Sequence, residues 1–425
     1  MDPALKVAAK VRYVGAVARP PISLYIHIPF CETKCTYCDF NTYSGIEHLL
    51  PSYLEALERE IRIWGALLEK PPVSTIFFGG GTPSYIPVEQ VNRLLQVAST
   101  SFSVSGDAEV TLEANPDDLS QENLNAYHHA GFNRLSIGAQ SFDDALLRTL
   151  GRNHTASDIS HSVARARTSG FDNVSLDLLF GLPSQSINQW SQSLEQALNL
   201  APEHVSLYSL TLEPGTPLNA EVKAERAPKP DPDLLADMYI AAETMMSRSH
   251  YIHYEISNWA LPGLVSKHNL AYWRLQPFLG VGPGAHSLLL GKRFSVIQSP
   301  RTYTKLMLKT NKTHLVEVGM KDPITTVSAT GILADLEQCT LASRIADFMM
   351  MGLRLQEGIC PTRFKDTFGM ELKSTFGAVI EETVSDGLIE SCGNIRLTHR
   401  GRLLGNQVFG RFVSEAHRLR STTPV

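Results

Sequence analysis

The stretch LYIHIPFCETKCTYCDFNTYSG, Leu24–Gly45, joins a short apolar strand to a loop that contains three cysteines. Cys31, Cys35 and Cys38 follow the spacing C-x3-C-x2-C, and Phe40 stands where a fourth cysteine would complete the set. Cysteine thiolates hold iron–sulfur clusters, and a four-iron cluster usually takes four of them. Three thiolates would therefore leave one iron open to a small molecule.

Two other uses of these cysteines stay open at this point. Structural zinc usually takes four ligands arranged as two spaced pairs, and His27 is close enough in sequence to be a fourth ligand. A redox pair of Cys35 and Cys38 would leave Cys31 without a role. The single triplet favours an iron–sulfur cluster over both alternatives.

Strand and helix patterns alternate outward from this loop as far as Tyr254. Runs of β-branched and aromatic residues predict six strands: Leu24–Ile28, Thr75–Phe78, Ala108–Glu113, Arg134–Ile137, Asn173–Leu179 and His204–Leu210. Apolar residues at helical spacing predict helices between them, such as Pro51–Leu68 and Val88–Thr100. Repeated strand–helix units form parallel sheets, so we expect an α/β fold with a partial (β/α)6 barrel.

Residues suited to a binding site follow successive strands. After the cysteine loop these are GGGTPS at 79–84, EANP at 113–116, GAQSF at 138–142 and DLLFGLP at 177–183. The carboxyl ends of the strands build the site in β/α barrels. The sequence therefore predicts one shared site at this end of the sheet.

The chain divides into four predicted segments. They are an N-terminal leader at 1–22, the core barrel at 23–255, a Gly-, Pro- and aromatic-rich connector or lid at 256–342, and a C-terminal domain at 343–425. In the last segment helices precede two short strands that turn at Gly393, which is a winged-helix-like α+β pattern. A winged helix can bind nucleic acid, but its basic residues are only a local cluster. We expect a covering or docking surface there and no nucleic acid.

Composition adds little about partners. The 425 residues carry a net charge of −5, with 43% hydrophobic and 19% charged residues, which favours neither nucleic acid nor a membrane surface. No apolar run approaches the roughly 18 to 20 residues of a transmembrane helix, and no secretory signal is present. The protein is expected to be neither membrane-spanning nor secreted.

Cysteine usage indicates a reducing compartment, because three of the six cysteines are clustered and three are scattered, unlike a disulfide framework. The cytoplasm and the interior of a mitochondrion or plastid all fit. The first twenty residues carry Lys6, Lys10, Arg12 and Arg19, as an organelle presequence does, but contain no serine.

The cysteine loop after the first strand and the glycine-rich turn after the second resemble the radical S-adenosylmethionine (SAM) superfamily. In that superfamily SAM chelates the open iron, and the reduced cluster cleaves it to methionine and a 5′-deoxyadenosyl radical. YIHIPFC, FFGGGTPS, GFNRLSIGAQSF, LGRNH and SLDLLFGLP are similar, in order and spacing, to the oxygen-independent coproporphyrinogen III oxidase group. This likeness covers roughly residues 24–215.

The resemblance implies a [4Fe-4S] cluster on the three loop cysteines and a SAM site beside it. Carried onto matching positions, Tyr25 and Tyr37 would flank SAM, Gly80, Gly81 and Thr82 would receive its amino acid end, and Glu113, Gln140, Arg152 and Asp177 would contact its ribose, its carboxylate or a second ligand. The residue types suit these roles. Glycine permits close approach of a ligand, a carboxylate can bind ribose hydroxyls, and the forked donors of arginine suit a carboxylate.

Phe40 and the segment HNLAYW, His268–Trp273, distinguish two branches of this group. The oxidases have a fourth cysteine where this chain has Phe40, and a longer leader. The HemW branch, whose members are heme chaperones, is similar to this chain in both respects and shares an H-N-x-x-Y-W motif. This resemblance implies heme contacts by His268, Tyr272 and Trp273, since imidazole is a common iron ligand and aromatic rings can cover a macrocycle.

We therefore expect a heme chaperone that binds a [4Fe-4S] cluster, SAM and heme, takes electrons from a donor, and passes heme to an acceptor protein. The alternative is an oxygen-independent coproporphyrinogen III oxidase, and Phe40 in place of the fourth cysteine argues against that decarboxylation. A radical SAM enzyme for an unrelated substrate, such as a tRNA base, is a third possibility. Whether the chain is an enzyme stays open, and no catalytic residue is assigned.

Overall fold

The computed structural model describes residues 20–310 and 322–419. They form two compact units. The first takes the chain up to Met238 together with Pro277–Glu337, and the second takes Tyr239–Gln276 together with the chain from Gln338 onward. Residues 1–19 of the predicted leader lie outside the described residues.

The strands and helices alternate through most of the described chain. In chain order the strands are β1 (Ile22–Ile28), β2 (Pro72–Gly80), β3 (Ser103–Ala114), β4 (Arg134–Gln140), β5 (Val174–Phe180), β6 (His204–Ser209), β7 (Ile252–Glu255), β8 (Asn258–Ala260), β9 (Phe278–Val281), β10 (His286–Leu289), β11 (Lys292–Val296), β12 (Leu333–Gln338), β13 (Ile389–Glu390) and β14 (Arg396–Leu397). The helices are α1 (Leu50–Leu67), α2 (Val88–Ser101), α3 (Gln121–Ala130), α4 (Asp144–Leu150), α5 (Ala156–Thr168), α6 (Ile187–Asn199), α7 (Pro217–Lys223), α8 (Pro232–Arg248), α9 (Lys267–Trp273), α10 (Pro300–Lys309), α11 (Pro323–Ser328), α12 (Leu341–Gly352), α13 (Pro361–Phe368), α14 (Leu372–Ser385), α15 (His399–Leu403) and α16 (Gly405–Arg418).

The first unit is built on one open sheet. Its strands run in the order β12, β11, β10, β9, β1, β2, β3, β4, β5 and β6. From β1 to β6 all neighbours are parallel, and β9 also pairs in parallel with β1. The predicted α/β fold with six parallel strands is therefore confirmed.

The two faces of the parallel sheet differ sharply in polarity. On β1, Leu24, Ile26 and Ile28 are fully buried on one face, while Tyr25 and His27 occupy the other. The same alternation repeats along the neighbouring strands. Because successive side chains point to opposite faces, one face is apolar and the other carries the polar residues of the predicted site.

Local capping explains where several helices begin. α5 begins with a capping box, in which the side chain of Thr155 accepts from the backbone of Asp158 and the side chain of Asp158 accepts in return. α6 has the same arrangement between Ser186 and Gln189. The C-terminal end of α3 is capped by Gly131, whose φ of +109° is a conformation that favours glycine.

The second unit has its own core, formed mainly by α12, α13, α14 and α16. Phe348, Phe364, Phe376 and Phe412 pack together there, and Met349 is fully buried among them. β13 and β14 form the predicted antiparallel pair on either side of Gly393. The predicted α+β character of the C-terminal part is confirmed.

Two further observations bear on earlier expectations. Within the described ranges no helix is both long and apolar enough to cross a membrane. All six cysteines are free thiols, and Cys339, Cys360 and Cys392 belong to the second unit.

Candidate functional site

The cysteine loop is closed at its base by backbone hydrogen bonds. Cys31 N donates to Tyr43 O at 3.0 Å, and Tyr43 N donates to Pro29 O at 2.8 Å. Within the loop, Cys38 N donates to Cys35 O at 3.2 Å. These bonds bring the start and the end of the loop together just beyond β1.

Each of the three thiols has a polar neighbour in the fold. Thr82 Oγ1 donates to Cys31 Sγ at 3.5 Å, and Cys38 Sγ lies 3.8 Å from Thr42 Oγ1. Arg152 Nη1 donates to Cys35 Sγ at 3.4 Å. Burial raises the pKa of the Cys31 and Cys38 thiols. A bound metal ion would favour their thiolate forms.

The thiols fit a cluster better than a single metal ion. Among the described residues, no three side chains of Cys, His, Asp or Glu converge closely enough to hold one ion. A four-iron cluster takes one thiolate at each of three separate irons, so its ligands need not meet at one point. This donor set suits a three-cysteine cluster.

His27 does not serve as the fourth zinc ligand considered from the sequence. Its Nδ1 lies 2.9 Å from the Tyr25 hydroxyl, and its Nε2 lies 3.0 Å from Asn41 O. Burial lowers the pKa of His27 to about 4, so the ring is neutral at pH 7. Both ring nitrogens are already in hydrogen bonds, one within β1 and one that joins β1 to the end of the cysteine loop.

The glycine-rich turn after β2 packs against the root of the cysteine loop. Gly81 N donates to Ile28 O and Thr82 N donates to Phe30 O, both at 2.8 Å. Gly80 has a φ of +113°, and a side chain there would overlap the ring of His27. A Cβ on Gly81 would lie 2.6 Å from Phe30 O. Close backbone approach therefore requires glycine at both positions.

Two partly buried carboxyl groups lie on the polar face beside this turn. Glu113 on β3 accepts from Gly80 N at 3.0 Å, and Asp177 on β5 accepts from Ser136 Oγ at 2.9 Å. Burial and the neighbouring Asp177 raise the pKa of Glu113 to about 7. Burial likewise raises the pKa of Asp177. Both groups can accept hydrogen bonds from a ligand that carries hydroxyl or ammonium donors.

Arg152 connects the cysteine loop to two other strand ends. Besides Cys35, its guanidinium donates through Nη2 to Asn115 Oδ1 at 2.7 Å and to Gly138 O at 2.9 Å. Arg152 and Cys35 line a polar pocket, together with Glu32, Thr33, Asn115, Asp117, Gly151, Asn153 and His154. Arg152, which was predicted to contact SAM or a second ligand, therefore links Cys35 of the loop to Asn115 and Gly138 and also lines this pocket.

The other predicted residues of this unit lie on the same strand ends or on the loop. Tyr25 stacks on Phe77 at 6.2 Å, and Tyr37 packs on the cluster formed by Leu146, Leu150, Leu179, Leu182, Leu210 and Leu218. Burial raises the pKa of Tyr37 above its ordinary range. Gln140 has a φ of +63° at the point where the register of β4 and β5 shifts. The loop cysteines and the predicted SAM residues therefore occupy one region of the first unit.

Phe40 does not take the place of a ligand. Its side chain is 67% exposed, and its backbone carbonyl accepts from Lys34 Nζ at 3.1 Å. The aromatic ring faces solvent at the position where a fourth cysteine would stand.

The three predicted heme contacts lie in the second unit, on α9. His268 is buried, and its Nε2 lies 2.8 Å from the Tyr272 hydroxyl, one helical turn later. Trp273 carries the Arg354 guanidinium 5.2 Å from its ring centre. Its indole Nε1 is buried and has no hydrogen-bond partner among the described atoms.

Sequence reasoning missed Asn41 and Asn115, which hold the site together through side-chain amides. Asn115 stands inside the EANP motif, so its position after β3 was a usable signal. Asn41 follows Phe40 directly, and nothing in its local sequence points to the distant residues that it contacts.

Comparison with known proteins places the chain in a family. The model of the Radical SAM superfamily matches residues 25–197, and the HemN C-terminal domain matches residues 340–404. The chain is 40% identical over 398 residues to heme chaperone HemW of Bacillus subtilis, covering 92% of this chain and 99% of that protein. It is 33% identical over 406 residues to heme chaperone HemW of Mycobacterium tuberculosis, covering 94% of this chain and 97% of that protein.

The chain is also similar to a mouse protein and to a solved bacterial structure. A mouse protein named radical S-adenosyl methionine domain-containing protein 1, mitochondrial, is 42% identical over 67% of this chain and 66% of its own length. The structure of coproporphyrinogen III oxidase HemN from Escherichia coli matches with a TM-score of 0.77 and 23% identity, covering 96% of this chain and 92% of that one. This structural likeness shows the fold alone. Because the chain is 33–40% identical to these two HemW proteins over more than nine-tenths of its length, it belongs to the HemW family within the radical SAM superfamily.

Proposed function

We propose that this protein is a heme chaperone, which binds heme and transfers it to acceptor proteins and also holds a [4Fe-4S] cluster and SAM. The observation that carries the proposal is the match, at 33–40% identity over more than nine-tenths of the chain, to relatives named heme chaperone HemW. The exposed Phe40 at the position of the oxidases' fourth cysteine agrees with this assignment.

In the first unit, the residues of the loop and the strand ends would hold the cluster and SAM. The cluster, when bound, supplies an iron that SAM can chelate and an electron that can cleave it. Cys31, Cys35 and Cys38 would ligate iron, and the Arg152 guanidinium would stabilise the negative charge of the cluster through Cys35. Glu113 would accept hydrogen bonds from SAM.

In the second unit, α9 offers groups suited to heme. The Tyr272 hydroxyl and the His268 imidazole are hydrogen-bonded to each other, and either could ligate iron. The Trp273 ring offers an aromatic face, and Arg354 lies against that ring as a cation for a propionate. We assign heme binding to this helix.

Heme titration of purified protein tests the proposal. Wild-type protein should shift the Soret band of added heme, and His268→Ala and Tyr272→Phe should each weaken binding by about tenfold, equivalent to roughly 1.4 kcal/mol. His129→Ala is the matched control, because His129 is exposed on α3 and reports adventitious binding by a surface imidazole. Equal affinity of all four proteins would remove the assignment to α9, and no Soret shift in any of them would remove the chaperone function.

The oxidase remains the second candidate, because the motifs within residues 24–215 are similar to those of the oxygen-independent coproporphyrinogen III oxidase group and residues 340–404 match the HemN C-terminal domain. One anaerobic assay with reductant, SAM and coproporphyrinogen III separates the two functions. A chaperone should give no protoporphyrinogen IX, whereas formation of that product would establish the enzyme. 5′-Deoxyadenosine without porphyrin product would contradict the oxidase and leave a radical SAM reaction on another substrate.

Two partners and a compartment belong to the same proposal. An electron donor would reduce the cluster, and a heme-binding protein would accept the cargo. The free state of all six cysteines favours a reducing compartment, such as the cytoplasm or the interior of a mitochondrion or plastid. Co-purification with an acceptor that gains heme only in the presence of this protein would identify the partner.

A further inference from the structure

Asn41 lies three residues beyond Cys38 and uses every polar atom of its side chain. Asn41 Nδ2 donates to Pro283 O and to Gln298 O, each at 2.9 Å. Asn41 Oδ1 accepts from the Tyr43 hydroxyl at 2.9 Å. The amide thus joins the end of the cysteine loop to backbone that lies 242 and 257 residues later in the chain.

The backbone of Asn41 is held from the opposite side. Its carbonyl lies 3.0 Å from His27 Nε2, and the other ring nitrogen of His27 lies 2.9 Å from the Tyr25 hydroxyl. Asn41 is therefore fixed to β1, to the turn that follows β9 and to the residues that follow β11.

Two glycines bring that segment close enough for these bonds. Gly284 has a φ of +83°, and a Cβ there would lie 2.5 Å from Asn41 Nδ2. Gly282 has a φ of +90°, and a Cβ there would lie 2.8 Å from His27 O. Only glycine allows the backbone to approach this closely with these dihedral angles.

The turn Gly282–Gly284 is also held by a hydrogen bond to a buried carboxyl group. Glu60 on α1 accepts from Gly282 N at 2.9 Å and from the Tyr303 hydroxyl at 2.6 Å. Trp64 Nε1 donates to the same carboxyl group at 3.3 Å. Because the turn has fixed partners, it can serve as a rigid support for Asn41.

We propose that Asn41 and the turn Gly282–Gly284, here called the Asn41 clamp, position the limb of the loop that carries Cys38 and so retain the iron–sulfur cluster. Partners that orient a ligand-bearing group typically change metal affinity by about 10- to 100-fold when removed. A cluster held by three thiolates has one protein ligand fewer than usual, so the position of each ligating cysteine has a larger effect on cluster retention. This inference rests on the cluster and is independent of heme.

Iron retention tests the clamp. Asn41→Ala removes the amide, and Gly284→Ala leaves every loop side chain intact but places a methyl group against it. After anaerobic reconstitution, both variants should release iron to a chelator about tenfold or more faster than wild-type protein. They should also broaden the electron paramagnetic resonance signal of the reduced cluster.

Two controls match these changes. Asn92→Ala removes an amide that donates to Ala126 O at 3.1 Å on the helical side of the fold. Gly215→Ala places alanine at a φ of +90° with nothing within 4 Å, which reproduces the backbone strain without the contact. Both control proteins should retain iron as wild-type protein does.

A purely structural role would lower the melting temperature of iron-free protein without a separate effect on iron release. Asn41→Asp is the more conservative variant, because it preserves the size of the side chain and the acceptor for Tyr43 but loses both N–H donors. It should release iron as fast as Asn41→Ala. Wild-type release rates in folded Asn41→Asp and Gly284→Ala proteins would overturn the clamp, whereas wild-type protein without iron would overturn the cluster assignment itself.

Discussion

Hydrogen bonds to neighbouring residues determine the roles of His27 and Arg152 in the site. His27 is neutral and fully hydrogen-bonded, so it braces the loop and is not available to a metal. Arg152 reaches Cys35 through Nη1 and both Asn115 and Gly138 through Nη2, whereas a lysine has a single nitrogen from which to donate. Both side chains therefore support the site through hydrogen bonds within the protein.

Replacing any one of Cys31, Cys35 or Cys38 with alanine should abolish the cluster. Reconstituted wild-type protein should hold about four irons and four sulfides per chain, which is the composition of one [4Fe-4S] cluster. Chemical analysis of iron and sulfide measures the result. The same change at Cys339, Cys360 or Cys392 should leave the content intact, since these belong to the other unit. Full retention in the Cys35→Ala protein would contradict the cluster assignment.

Glu60 should make stability depend on pH. Burial raises its pKa from 4.5 to about 7, so its contribution to stability is present below pH 4.5 and is lost as pH rises through 7. Relative to Glu60→Gln, wild-type protein should lose on the order of 3 kcal/mol of unfolding free energy between those limits. Denaturant unfolding of both proteins at pH 5 and pH 8 measures the difference. Parallel pH dependence would show that Glu60 does not titrate in this range.

The helices and strands of the first unit follow the sequence pattern closely. All six predicted parallel strands are present, although β3 begins at Ser103, five residues before the predicted Ala108. The added residues at its start are mostly exposed, so they lack the apolar signal that marks a strand. Helix ends were likewise set by local capping groups such as Thr155 and Gly131.

Thr155→Ala should destabilise α5 and the protein by about 1 kcal/mol, because it removes the side chain that accepts from Asp158 N. Thr168→Ala on the same helix is the control, since its exposed hydroxyl bonds only to Ala164 O. Equilibrium unfolding in denaturant compares both variants with wild-type protein. An equal loss in both variants would show that the capping box adds nothing.

At the scale of the whole molecule, the chain carries its two proposed binding functions in separate compact units. The loop cysteines belong to the first, and the residues proposed for heme belong to the second. The second unit is discontinuous, since Tyr239–Gln276 belongs with the chain after Gln338. The sequence analysis divided that earlier segment between the core barrel, which it ended at residue 255, and the connector, because a pattern along the chain does not report which distant segment completes a core.

Phe412→Ala should weaken heme binding while the iron content is maintained. Phe412 is fully buried in the core of the second unit, and its truncation should cost that unit about 3 to 5 kcal/mol. Heme titration and iron analysis on one preparation give both readouts. Phe412→Leu should largely preserve heme binding, and loss of iron together with heme in Phe412→Ala would contradict the separate assignment.

Strand periodicity and the order of motifs after the strands were enough to predict the parallel fold and the family, and the cysteine spacing predicts the cluster ligands. These features are local, because thiolate spacing and alternating burial are encoded within a few consecutive residues. The role of His27, the contacts of Asn41 with Pro283 and the discontinuous second unit emerged only from the folded chain. They depend on tertiary contacts, from the bond of His27 to Asn41, 14 residues later, to that of Asn41 with Pro283, 242 residues later, and no periodicity along the sequence reports which side chains will meet.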